Sequence, residues 1–275
     1  MRAAVVTSCS AKGWLQYGKR FVETFDRHWP VEVELHIVSE DMPAGAALGS
    51  FASSARPIMF HELWKVSRVA REFNDRHARN LLVHGKVRRE GDFGWTPKKI
   101  AAGYNFRLDA YRFSKKVFGV EAVSKWTTAD LLFWVDADVV TFAPVPIGLL
   151  SDLLPGDVAL ACLDRGDYHS ECGFVGYDLT HQAARPFIRE LCGLYASDEF
   201  LHLKEWHDSW VFDYVRKFLH TPTRKIEHCS RHHPFVNSVL GHYMDHLKGS
   251  RKEAGRTPLH EMRAGFTDPY WRGAA

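Results

Sequence analysis

Two aspartates, Asp136 and Asp138, follow the apolar run Leu131-Leu-Phe-Trp-Val135 directly, with only Ala137 between them. The run is short and rich in strand formers, and Pro144 and Pro146 break the chain soon after it, so it is predicted to be a buried strand. On an extended chain, positions i and i+2 face the same side. The two carboxylates are therefore expected together at the carboxyl end of that strand, where they repel one another and lose hydration. A shared cation relieves both problems, and hard oxygen donors favour Mg²⁺ or Mn²⁺. The competing reading is a strand-to-loop turn in which the aspartates accept backbone amides.

A second stretch, His246-Leu-Lys-Gly-Ser-Arg-Lys252, combines an imidazole, a glycine and three cations. It reads as a turn that exposes backbone amides and positive charge to a diphosphate, with His246 as a metal ligand; a solvated basic loop is the plainer reading. Taken together, the two stretches form the halves of a clamp for a metal-bound nucleoside diphosphate. His242 and His246 are spaced to share a metal if they lie on a helix, but the glutamate of the zinc-protease pattern is missing. His228, Cys229, His232 and His233 fit no structural zinc spacing. His207 and Asp208 stand at a predicted helix start, where Asp208 either caps the helix or serves as a base for an acceptor hydroxyl. Arg107 and Lys115 line a helix face from which one of them could reach phosphates. Asp164, Arg165 and Asp167 follow a strand, as acceptor-side groups or as a simple turn.

The surrounding pattern is α/β. A strand at Arg2–Val6 ends in Thr7-Ser8-Cys9-Ser10; an amphipathic helix over Gly18–His28 and a strand over Val31–Val38 follow. Strand, helix, strand implies a parallel sheet with a right-handed crossover. A loop is expected at Asp41–Arg56, a long helix at Phe60–His84, a turn-like insertion at Gly91–Lys98 and another helix at Ile100–Phe118. Beyond Pro144–Pro155, strands are expected at Val158–Leu163 and Cys172–Tyr177, and helices at Gln182–Tyr195 and Glu205–Phe218. The pattern weakens after Thr221. Ligands of open parallel sheets bind beyond the carboxyl ends of strands, which is where both Thr7–Ser10 and Asp136–Asp138 should lie. With no repeat or composition break, residues 1–275 are read as one domain, halves 1–140 and 141–275 binding donor and acceptor.

Bulk properties exclude some classes. No apolar stretch approaches the ~20 residues of a membrane-spanning helix. The five cysteines are odd in number and form no paired spacing, which fits reduced thiols and a cytoplasmic location. A net charge of +3 permits a polyanionic partner without demanding one.

The ordered set of Asp136-Ala137-Asp138, Gly173-Phe-Val-Gly-Tyr177, His207-Asp208 and the terminal His246-x-x-Gly249-x-x-Lys252 resembles the GT-A-fold glycosyltransferases, in particular those related to glycogenin and the lipopolysaccharide galactosyltransferases. The resemblance implies a Rossmann-like, mixed and mostly parallel central sheet flanked by helices, and transfer of a sugar from a nucleoside diphosphate sugar, with UDP as the expected carrier. It implies that Asp136 and Ala137 lie against the nucleotide sugar, Asp136 reaching the ribose or the metal. Asp138 and His246 would bind Mn²⁺ or Mg²⁺ directly, Gly249 and Lys252 would contact the diphosphate, and Thr7 and Ser8 would lie near the base. Asp208 and Glu171 become the candidate catalytic carboxylates. The chain departs from the family pattern at Lys252-Glu-Ala254, Glu171-Cys-Gly173 and Ser209, so stereochemistry is not read. The acceptor is expected to be a glycan, a lipid-linked glycan, a protein or a modified DNA base, the last suggested by the basic C-terminal region. The rival classes are a haloacid-dehalogenase-like phosphatase with Asp136 as nucleophile and a non-catalytic sugar- or nucleic-acid-binding module.

Overall fold

Every residue of Leu131–Val135 is buried, which explains an apolar run without alternation: this strand has a packed layer on each face. Leu132 and Trp134 enter one core, with Ala4, Val6, Val117, Phe118 and Phe187; Leu131, Phe133 and Val135 enter the other, with Val5, Phe21, Phe25 and Leu150. The computed structural model describes residues 1–43, 54, 56–228, 233–262 and 268–273.

In chain order the main elements are β1 (Ala3–Cys9), α1 (Lys19–His28), β2 (Glu34–Ser39), β3 (Ile58–Glu62), α2 (Arg68–His77) and α3 (Ala110–Trp126). They continue with β4 (Leu131–Val135), β5 (Val139–Thr141), α4 (Ile147–Leu153), β6 (Leu160–Asp164), β7 (Glu171–Asp178) and α5 (Ala184–Ala196). The last are α6 (Asp208–Phe218), β8 (Thr223–His228), β9 (Met244–His246) and α7 (Arg251–Ala254). A seven-stranded sheet has the order β3-β2-β1-β4-β7-β6-β8. All its pairings are parallel except those of β7, which runs antiparallel to both β4 and β6. This is the expected mixed, mostly parallel sheet between helical layers. No helix among the described residues is long and apolar enough to cross a membrane.

Three predicted helices are redrawn. Phe60–His84 is not continuous: β3 pairs with β2, and α2 starts afresh where Ser67 Oγ accepts the Ala70 N–H. Pairing with β2 overrides the helical reading at Phe60, while Leu63 opens a single helical turn, Leu63–Val66, ahead of α2. Within Ile100–Phe118 the helix stops at Gly103, in the left-handed region at φ 61°, and restarts at α3, where Asp109 accepts the Arg112 N–H. The first piece, Pro97–Ala102, begins inside the stretch predicted as a turn, capped by Thr96. Finally, α6 begins at Asp208 rather than Glu205.

Candidate active site

Strand β4 ends at Val135, so the two aspartates stand in the turn beyond it and not on the strand. The Asp136 N–H donates to Gly173 O on β7 (2.9 Å), and the Val139 N–H closes the turn onto Asp136 O (3.0 Å). The chain then enters β5, which pairs with β9 so that Val139 faces His246. The Leu247 N–H donates to Asp138 O (2.9 Å), locking Asp138 beside His246 although 108 residues separate them. His246 therefore sits on a strand and not, as one reading had it, on a helix shared with His242; the latter lies in a separate 3₁₀ turn.

His246 is fully buried, with Nε2 3.1 Å from Asp138 Oδ1 and 3.4 Å from Asp136 Oδ2. Phe235 and His233 pack against the ring, and His233 Nε2 donates to His246 O (3.0 Å). Opposite them the ring lies on Gly173, where a Cβ would come within 2.6 Å of His246 Cε1. That contact explains the glycine. Burial disfavours the imidazolium, but Asp138 and Asp136 outweigh burial and push its pKa up to about 10. Burial likewise works against the charge on Asp136 and Asp138; for Asp136 Lys116 and His246, and for Asp138 His246 and Lys252, prevail and hold both carboxyls below the usual range.

Lys116, on the apolar stripe of α3, completes the inner network. Its Nζ donates to Asp208 Oδ2 (2.8 Å) and to Cys172 O, and lies 3.5 Å from Asp136 Oδ1 and 4.8 Å from the centre of the Trp134 ring. Trp134 Nε1 donates to the same Asp136 oxygen (2.6 Å). Burial opposes the ammonium, yet Asp136 and Asp208 raise its pKa overall. Sequence reasoning passed over this residue in favour of its neighbour. Its signal was a lysine three residues after Phe113 and four before Val120, on the side of the helix that faces the core.

The C-terminal stretch arrives from the other side. Gly249 turns at φ 67°, and α7 carries Lys252, whose Nζ is 2.9 Å from Asp138 Oδ2 and 4.2 Å from the centre of the Tyr17 ring. Lys248 bonds to both oxygens of Glu171 (3.2 and 3.3 Å), with Arg165 3.9 Å away. Burial raises the Glu171 pKa, but Lys248 and His246 bring it down to about 2. Asp136, Asp138, Glu171, Asp208, Lys116, His246, Lys248 and Lys252 thus form one interlocked charge network.

The other sequence candidates stand as follows. Ala137 is buried between the aspartates. Thr7 is buried on β1, its Oγ1 without a hydrogen-bond partner among the described residues, and Ser8 follows it, paired with Val38 of β2. Lys115 points to Glu40 (2.8 Å) and Arg107 to Glu205 (3.1 Å). Asp164 lies 3.5 Å from Lys225, and Asp167 is exposed. Of the histidine-rich stretch, Cys229 and His232 lie outside the described residues.

Asp136, Asp138 and His246 bring one ligand atom each within 4.8 Å of one another. Their separations from Nε2, 3.1 and 3.4 Å, approach the spacing of about 3 Å between adjacent ligands on an octahedral cation with bonds of about 2.1 Å. Two carboxylates and an imidazole suit Mn²⁺ or Mg²⁺, and the room that Gly173 leaves for the imidazole fits that role. The set can hold a divalent cation, with Lys252 and the Gly249 turn at its edge for an anionic ligand.

No protein-family model and no curated protein matches this chain. Solved structures do. Glycosyltransferase GlyE of Streptococcus pneumoniae TIGR4 is 12% identical with a TM-score of 0.49, over 82% of this chain and 45% of its own length. The chain thus spans less than half of that protein. The apo form of mouse xyloside xylosyltransferase 1 is 10% identical with a TM-score of 0.50, over 82% of this chain and 86% of that one. At such identity the likeness is one of architecture: the chain has a Rossmann-like fold of the GT-A type.

Proposed function

We propose that the chain is a metal-dependent glycosyltransferase that moves a sugar from a nucleoside diphosphate sugar, with UDP as carrier, to an acceptor hydroxyl. The observation that carries this reading is the convergence of Asp136, Asp138 and His246 in a fold of this type, with Lys252 on Asp138. Asp136, Asp138 and His246 would hold Mn²⁺ or Mg²⁺, whose positive charge, when bound, stabilises the departing diphosphate.

The rest follows from the chain's own groups. Lys252 and the backbone amides of the Gly249 turn bind the diphosphate oxygens. The anomeric carbon–oxygen bond breaks with its electron pair going to the diphosphate, and the acceptor oxygen bonds to that carbon. The acceptor proton passes to a carboxylate. Asp208, oriented by Lys116, is assigned that task in an inverting course; in a retaining course it steadies the positive sugar. Glu171 is the second candidate carboxylate. A phosphatase using Asp136 as nucleophile is disfavoured because Oδ1 is held by Trp134 and Lys116, leaving a single oxygen, which faces His246.

The test is a panel of nucleotide sugars scored by thermal shift with and without Mn²⁺, followed by turnover of the best donor. Stabilisation that needs both donor and metal, lost in Asp138→Asn, supports the reading. Stabilisation by beryllium fluoride and none by any nucleotide would replace it with the phosphatase.

A further inference from the structure

A second group of side chains converges outside the network just described. His169, between β6 and β7, and Glu205 and His207, just before α6, each bring one ligand atom within 4.8 Å of the others. Both imidazoles face the same oxygen: His207 Nε2 is 2.9 Å and His169 Nε2 3.6 Å from Glu205 Oε2. The longer distance is beyond a normal hydrogen bond, so His169 is aimed at the carboxylate with only a loose hold on it. The other oxygen, Oε1, is taken by Arg107 (3.1 Å), which fixes the carboxylate and leaves Oε2 for the imidazoles.

The supports are rigid. Glu205 and His207 are buried, whereas the His169 side chain is 33% exposed and leaves one side open. Phe106 and Phe113 pack on the His207 ring at 5.7 and 5.9 Å. The intervening Trp206 is pinned at both ends, its N–H donating to Arg107 O (2.7 Å) and its O accepting from the Tyr195 hydroxyl (2.8 Å).

We infer that His169, Glu205 and His207 form a second divalent-metal site, one that takes Zn²⁺ in preference to Mg²⁺ or Mn²⁺. Two imidazoles and one carboxylate with a fourth position open are a zinc donor set. Zinc bonds of about 2.0–2.2 Å put neighbouring tetrahedral ligands about 3.3–3.6 Å apart; the observed 3.6 Å lies at that spacing and the 2.9 Å needs only a small opening. The donors here are richer in nitrogen than those around Asp138, so the two sites differ in the metal they prefer. His207 immediately precedes Asp208, which places this metal next to the proposed transfer site while leaving its occupancy independent of sugar transfer.

Cobalt reports on the site without any nucleotide. Co²⁺ is titrated into the full chain carrying Asp138→Asn, with visible absorption and stoichiometry as readouts. One Co²⁺ per chain is expected, with the intense bands of a low-coordinate nitrogen and oxygen site, displaced by Zn²⁺ but not by Mg²⁺. Adding His169→Ala, at a partly exposed position, should weaken it more than a hundred-fold. Arg107→Gln should weaken it by about ten- to a hundred-fold through loss of carboxylate orientation. The inference is overturned if the folded Asp138→Asn chain binds no Co²⁺ in this way, or if His169→Ala leaves affinity and spectrum unchanged.

Discussion

Lys116 Nζ and Asp208 Oδ2 lie 2.8 Å apart, and the same ammonium is 3.5 Å from Asp136 Oδ1. A helix of the first half thereby ties the carboxylate at the start of α6 to the turn that carries Asp136 and Asp138. The pair is largely shielded, each side chain being 12% exposed. Replacing Lys116 by Met should cost about 3–5 kcal/mol, because two carboxylates lose their counter-charge. In a double-mutant cycle with Asp208→Asn, urea unfolding should give a coupling energy of about 0.5–3 kcal/mol. Additive losses would mean that the contact is incidental.

Gly173 tests the imidazole's seat. A Cβ there would meet His246 Cε1 at 2.6 Å and Nδ1 at 2.7 Å, inside a ring already packed by Phe235. Gly173→Ala should therefore keep the fold and lose Mn²⁺ affinity by at least about ten-fold, comparable to disturbing a ligand's support. Isothermal titration with Mn²⁺ checks this, with His246→Gln as the variant expected to abolish binding. Equal affinity in Gly173→Ala and wild type would rule out His246 as a ligand.

Trp134 offers a gentler perturbation. Its indole N–H holds Asp136 Oδ1 at 2.6 Å while its ring underlies Lys116. Trp134→Phe keeps most of the ring and removes the donor. Stability should fall by about 1.5–3 kcal/mol, the range for a hydrogen bond to a charged group. If sugar transfer is the activity, kcat should fall more than donor KM rises, since the carboxylate is mispositioned and not removed. A change confined to KM would contradict that role.

Part of the acid limb of stability should come from two histidines far from the site. His36 Nδ1 and His61 Nε2 are 3.1 Å apart on neighbouring strands β2 and β3. Burial, and for His61 also its neighbour, lowers both from 6.5 to about 4. Well above pH 6.5 both are neutral, folded or unfolded, and these two add no pH dependence. As pH falls from 6.5 towards 4, the unfolded chain takes up protons that the native chain refuses, so stability drops. His36→Phe should flatten that slope in melting temperatures measured from pH 7 to pH 4.5; an unchanged slope would assign the acid sensitivity elsewhere.

The sequence was most legible where one local rule acts alone. The apolar run at Leu131–Val135, the aspartates after it and the spacing of His246, Gly249 and Lys252 all carry their meaning in a few adjacent residues. The strand Ile58–Glu62 was not legible, because Phe60 stands three residues before Leu63, which is helical, and only pairing with β2 separates the two. The break at Gly103 was visible as a glycine, but nothing local shows that Asp109 restarts the helix. Lys116, Asp208 and Cys172 meet only through the packing of α3 on β7 and α6, and no spacing announces that. The same is true of His169 and Glu205, which share no motif.

The short ribbon of β5 and β9 works as a gauge. Val139 pairs with His246, and the main chain of Leu247 grips that of Asp138, so the span between carboxylate and imidazole is set by strand register and not by flexible side chains. A slip of one residue would turn His246 to the opposite face and separate it from Asp138 in one stroke. Whatever length or composition the intervening polypeptide takes, these two groups remain calibrated to one another as long as that pairing forms.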